Sequence, residues 1–94
     1  MKFRSMFTPV QIGPMTVKNR FVVPPMGNNF ANTDGTWSLQ SAAYYGERAK
    51  GQFGLITIEA TVVHEGAKGG PRKPCLYNDD SIESLKRICD AAHA

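Results

Sequence analysis

The chain has 94 residues, room for one small domain. Its hydrophobic content of 41% and charged content of 20% are those of an ordinary soluble globular protein, which excludes a disordered or fibrous chain. A net charge of +3 without a concentrated basic stripe gives no reason to expect a nucleic-acid partner.

In chain order, Val10-Gln11-Ile12 and Met15-Thr16-Val17 alternate apolar and polar residues about Gly13-Pro14, which predicts a short hairpin. Phe21 to Pro25 is apolar without alternation, the pattern of a parallel strand buried on both faces. A polar loop follows, from Gly27 to Trp37. Ser38 is placed to cap a helix running to Lys50, with Leu39, Ala42, Ala43, Gly46 and Ala49 as a small-residue face packed closely on a sheet. Gly51 is the expected left-handed residue after it. Gly54 to Ala60 is a second buried strand, rich in β-branched residues. The loop from Thr61 to Asn78 contains GAKGGPRKP. A last helix should start at an Asp80/Glu83 capping box and bury Ile82, Leu85, Cys89 and Ala92, with Ile88 beside them. The order is thus hairpin, then strand, long loop and helix twice over. In parallel α/β folds, long loops at the C-terminal ends of strands are where ligands bind. The last residues, Ala91 to Ala94, remain inside a helical pattern, so the expected frame is the front part of a longer protein.

Few residues carry chemistry on their own. GAKGGPRK does not fit a phosphate-binding loop, and no G-x-G-x-x-G opens either helix. Lys68, Arg72 and Lys73 read as a solvated loop cluster. Cys75 and Cys89 form no CxxC pair, and His64 and His93 are not at metal-ligand spacing, so no metal site is expected. Cys89 reads as a small core residue, and His64 as a surface histidine. Glu59 is the one carboxylate at the end of a buried strand; a structural, hydrogen-bonded role is favoured over a general base. Without an apolar leader or a membrane-length run, the default expectation is a cytoplasmic protein with no membrane partner.

The end of the first strand, Pro24-Pro25-Met26-Gly27, is stiff and donor-poor. The prolines fix φ and offer only carbonyls, and Gly27 lets another group approach the main chain. Residues alone leave two readings open, a rigid strand terminus or a ligand-accessible wall.

FTPVQIGPMTVKNRFVVPPM, followed by YYGERAKGQFGLITIEATVV, resembles the N-terminal segment of the old yellow enzyme family, in its branch of NADH:flavin oxidoreductases, dienoyl-CoA reductases and 2-enoate reductases. The IGPMTVKNR, PPM and ERAKGQFGLI blocks carry the likeness, which runs from Phe7 to the last residue. The resemblance implies an α/β fold: an N-terminal hairpin (7–19) followed by the first two β/α units (20–53 and 54–94) of an FMN-binding (β/α)8 TIM barrel, which needs roughly 250 residues in full. It implies FMN contacts at Pro24, Pro25, Met26, Gly27 and Ala60. It also implies NAD(P)H as reductant, and an α,β-unsaturated small molecule (an enoate, enone or dienoyl-CoA) as hydride acceptor. The acid–base residues, the FMN phosphate site and the iron–sulfur cluster of larger members belong to later strands or domains. No catalytic residue and no metal ligand is therefore expected in this chain, and the chain alone should be inactive; a homo-oligomer is compatible with the family. Relatives often carry cysteine or threonine where Gly27 stands, and that side chain tunes the flavin; glycine implies tuning by its backbone N–H. From a different class, a non-catalytic α/β binding module or a split-barrel subunit would also fit the residues.

Overall fold

A computed structural model describes residues 3–67 and 70–94; Lys68 of the basic cluster lies outside them. A 3-10 turn, Arg4–Phe7, leads into β1 (Val10–Ile12) and β2 (Met15–Val17), which pair antiparallel with Val10 opposite Val17 and Ile12 opposite Met15. Gly13 has φ 56° and Pro14 a φ that its ring keeps negative, so the two-residue loop follows the type II′ order, positive then negative.

β3 (Val22–Val23) and β4 (Leu55–Ile56) pair in parallel, Val22 with Leu55 and Val23 with Ile56. Their ladder is shorter than the predicted strands, 21–25 and 54–60. Pro24 and Pro25 have no N–H to continue it. Burial on both faces is also not what is found: Val23 is buried, whereas Val22 is 49% exposed, because the helices cover only one face of a two-stranded sheet.

The start of this sheet is held by Asn19. Its Oδ1 accepts from Phe21 N (3.0 Å) and Gly54 N (2.8 Å), and its Nδ2 donates to Gln52 O (2.7 Å). The contact is so close that a Cβ on Gly54 would lie 2.5 Å from Asn19 O. Gly54 is thus fixed by space rather than by strand propensity.

α1 (Leu39–Lys50) begins as predicted, with Ser38 Oγ accepting from Ser41 N at 3.0 Å. Such a cap contributes about 1 kcal/mol. Its buried face is Ser41, Ala42 and Tyr45; Leu39 is 71% exposed. Gly46 faces Ala91 on the next helix, not a sheet, with 3.7 Å between the position of its absent Cβ and Ala91 Cβ. At the end of α1, Gly51 is not left-handed (φ −72°); Gln52 is (φ 69°). Gln52 tolerates that conformation because its carbonyl is held by Asn19 and its side chain by Lys18 Nζ (3.1 Å).

α2 (Ile82–His93) follows a 3-10 turn at Asp79–Ser81. The expected Asp80/Glu83 capping box is replaced by Asn78, whose Oδ1 accepts from Asp80 N at 3.0 Å. The buried face is also rotated from the expected one. Ser81, Ser84 and Ile88 are buried, while Ile82 is 59% exposed and Cys89 is exposed, so Cys89 is no core residue. The rotation has a polar cause: Ser84 Oγ accepts from Trp37 N (3.1 Å) and donates to Ser81 O (3.0 Å). The core is Trp37, Ala42, Tyr45 and Ile88, with Ile56, Ile58, Leu85 and Ala91 packed around it.

The two long loops are tied to each other. Val62 pairs with Cys75 through Val62 N to Pro74 O (2.8 Å) and Leu76 N to Val62 O (2.7 Å), and Cys75 N donates to Gly35 O (2.8 Å). Gly35 is left-handed (φ 92°), and a Cβ there would meet Cys75 Sγ at 2.8 Å. Cys75 is thereby buried, and both cysteines are free.

Candidate functional site

The parallel register brings the C-terminal ends of β3 and β4 side by side. Thr57 N donates to Val23 O (3.0 Å), which sets Pro24-Pro25-Met26-Gly27 next to the segment leading to Ala60. Pro24, Pro25, Met26, Gly27 and Ala60 are all exposed. Met26 is an apolar side chain 54% open to solvent. The surface they form is small-featured, poor in donors and stiff, because two successive residues have locked φ.

Directly beneath lies a buried polar cluster. Glu59 is 3% exposed and Tyr45 2%. Tyr45 Oη accepts from Glu59 N (2.9 Å) and donates to Glu59 Oε1 (3.4 Å). Asn28 N donates to Glu59 Oε2 (3.5 Å), so the carboxylate joins the two strand ends across the sheet. Asn28 Oδ1 in turn accepts from Phe30 N (3.0 Å), which shapes the first turn of the loop. Burial pushes the Glu59 carboxyl above the ordinary glutamate range; the Asn28 N–H, the Tyr45 hydroxyl, the Lys73 cation and the Trp37 indole pull partly against it. Trp37 Nε1 and Asn28 Nδ2 are buried donors without full hydrogen-bond geometry to any acceptor. Tyr45 is raised too, first by burial and then by the charge of Glu59. A carboxylate so enclosed and so bonded can hold backbone in place. It does not face solvent, which fits the structural role expected of it rather than that of a general base.

A cleft of about 310 Å³ adjoins Ala60, lined by Thr61, Val62, Val63, Ala67 and Lys73. A larger groove, about 820 Å³, lies between the helices around Gly46 and His93, away from these strand ends. His64 is exposed and accepts from Gly66 N (3.0 Å). Among the described residues, no group of three or more His, Cys, Asp or Glu side chains could hold a metal ion, and no helix is long and apolar enough to cross a membrane.

The five residues singled out from sequence are thus exposed and lie at or just beyond the C-terminal ends of the two paired strands. Tyr45, Asn28 and Lys73 were not singled out for this site. For Tyr45 there was a signal: an aromatic hydroxyl on the inner face of a helix needs a partner, and Glu59 was the only strand-end carboxylate. Lys73 was read as one of a solvated cluster, and no local pattern points it toward Gly27.

Two parallel strands, each leading through a long loop to a helix, make two successive β/α units with exposed C-terminal strand ends. Residues 5–94 match the sequence profile of the NADH:flavin oxidoreductase / NADH oxidase family, and the chain belongs to that family. It is 44% identical over 93 residues to the NADH oxidase of Thermoanaerobacter brockii, covering 98% of this chain and 14% of that protein. It is 31% identical over 94 residues to a protein of Epichloe festucae var. lolii described as "Probable inactive reductase easA", covering 25% of it. The old yellow enzyme of Trypanosoma cruzi superposes with a TM-score of 0.89 at 33% identity, over 99% of this chain and 25% of that one. The architecture is therefore the hairpin and first two β/α units of the TIM barrel of old yellow enzymes, and the chain spans a quarter or less of the length of these relatives. One of these relatives is thus described as a "Probable inactive reductase", so likeness to them does not by itself give an activity.

Proposed function

We propose that this chain forms one wall of the FMN site in an oxidoreductase that passes hydride from NAD(P)H to an electron-poor alkene. Residues 7–19 serve as the capping hairpin, 20–53 as the first β/α unit and 54–94 as the second. The observation that carries this reading is the parallel pairing that sets the exposed, proline-stiffened end of β3 beside the end of β4 that leads to Ala60, in a chain of this family.

The residues present fit a planar ring. Gly27 and Ala60 keep side-chain bulk away from it, and the prolines hold the main chain straight where the ring would lie. Glu59 links the two strand ends through Asn28 N and is itself held by Tyr45 of α1. When bound, FMN supplies the hydride-relay chemistry between nicotinamide and substrate. The chain's own residues bind and orient the ring and exclude water from one side of it. Glu59, the carboxylate at the end of β4, is enclosed and holds backbone rather than facing the ring. On this reading, which follows the family resemblance, the acid–base chemistry lies outside these 94 residues and the chain alone does not turn over substrate.

The test is FMN affinity in the protein that contains this segment. Ala60→Leu places a branched side chain on the wall and should weaken FMN binding at least tenfold, read by quenching of free-flavin fluorescence, with the far-UV circular dichroism unchanged. Unaltered affinity would remove Ala60 and the face it belongs to from the site.

A further inference from the structure

Glycine at position 27 leaves open space that a side chain from elsewhere in the chain approaches. Its φ is not in the left-handed region, unlike those of Gly13 and Gly35, so the backbone does not require it. A Cβ built on Gly27 would have one neighbour within 4 Å, the Nζ of Lys73 at 3.3 Å. The space next to a residue-27 side chain is therefore occupied by an ammonium from a residue 46 positions along the chain (73 − 27).

Lys73 is not a loose surface lysine. Its side chain is partly buried, and its backbone lies just before the bridge that ties Cys75 to Val62. Its carbonyl is within 3.5 Å of Cys75 Sγ, and Pro74 is fully buried. Ion pairs within 4.0 Å among the described residues involve Lys50 and Lys86, not Lys73. Its charge is felt by Glu59, which lies under the wall. Lys73 also lines the cleft beside Ala60. Two independent observations, the approach to Gly27 and the lining of the cleft, set the Lys73 side chain beside both Gly27 and Ala60.

We propose that Lys73 takes the place of a residue-27 side chain at the edge of the flavin, where its ammonium stabilises the negative charge the ring gains on reduction. The inference rests on the FMN site proposed above. Hydride from NAD(P)H carries two electrons and one proton to the ring and leaves NAD(P)+. The reduced ring therefore holds one negative charge until a further proton is taken up, and a cation in contact with it favours that state over the oxidised one. The glycine then has a definite use: it makes room for the lysine. Tuning is by a side chain after all, delivered from the second loop rather than from position 27.

The experiment uses the FMN-loaded protein that contains this chain. Midpoint potentials are measured by reductive titration against a reference dye, with FMN content followed by visible absorbance. Lys73→Met should keep its FMN and disfavour the reduced form at least tenfold, a fall of about 30 mV for a two-electron couple, while Lys73→Arg stays near the parent. Gly27→Ala inserts a methyl group against Nζ and should lower the potential by a smaller amount, with no further effect when combined with Lys73→Met. Lys73→Met with FMN bound at the parental potential overturns the proposal. Should that variant lose FMN, an unchanged potential in Gly27→Ala overturns it equally. Parent protein that binds no FMN, or whose FMN affinity is indifferent to Ala60→Leu, instead takes down the site reading beneath it.

Discussion

The two ends of the β3–β4 pair are built on opposite plans. At the N-terminal end, one neutral side chain, Asn19, saturates the backbone: it bonds Phe21 N, Gly54 N and Gln52 O, and the chain crosses so tightly that only glycine fits at position 54. At the C-terminal end the outer wall is left bare, with exposed prolines, Met26, Gly27 and Ala60. Its polar work is done one layer down by a buried carboxylate and a phenol. A closed, self-satisfied end suits a place that only has to hold. An open end over a hydrogen-bonded floor suits the flat ring proposed to bind there.

The largest break is expected at the closed end. Gly54→Ala drives a methyl to 2.5 Å from Asn19 O and 2.7 Å from its Oδ1. The clamp must open, at a cost of about 3 kcal/mol from overpacking and lost hydrogen bonds. Thermal unfolding of the protein carrying this segment should show it, with FMN affinity of the folded fraction little changed. Next comes Tyr45→Phe at the open end. It leaves the buried Glu59 N–H without its acceptor and should cost about 2 kcal/mol in denaturant unfolding. In contrast to the glycine change, it should also loosen FMN.

The smallest effect is a dependence on pH. Because burial raises the Glu59 carboxyl, the folded chain holds that proton more tightly than the unfolded one. The contribution of this group is therefore most favourable below the ordinary glutamate range. It is lost as pH rises from that range through the raised folded value, and stays flat above it. Glu59→Gln lacks this dependence. Its stability relative to the parent should climb with pH across that window; a relative decline would mean that the ionised form is the one the fold prefers.

What was legible in the sequence was local. The hairpin, the Ser38 cap, the order of strands and helices and the strand-end character of Pro24–Gly27 each depend on a few adjacent residues. The errors arose where a distant partner decides. Ser81 and Ser84 look like surface or capping serines until Trp37 N and Gly35 O are brought to them, and that pairing turns α2 so that Ile88 goes in and Cys89 comes out. Gln52 takes the left-handed position because Asn19 and Lys18 hold it, a fact invisible in the Gly51-Gln52 dipeptide. In the candidate site the exposed strand ends were legible and what supports them was not. Tyr45 meets Glu59 only once α1 lies on the sheet, and Lys73 meets Gly27 only once the Val62–Cys75 bridge folds the second loop back.

The contrast between the two ends can be read directly by hydrogen–deuterium exchange of the same protein with and without FMN. Peptides covering Met26 to Asn29 and Ala60 to Val63 should exchange more slowly when FMN is bound. Peptides covering Asn19 to Phe21 and Gln52 to Gly54 should be unchanged. Equal exchange at the C-terminal strand ends in the two states, or protection that appears at the Asn19 end instead, would contradict the assignment of this wall to the flavin.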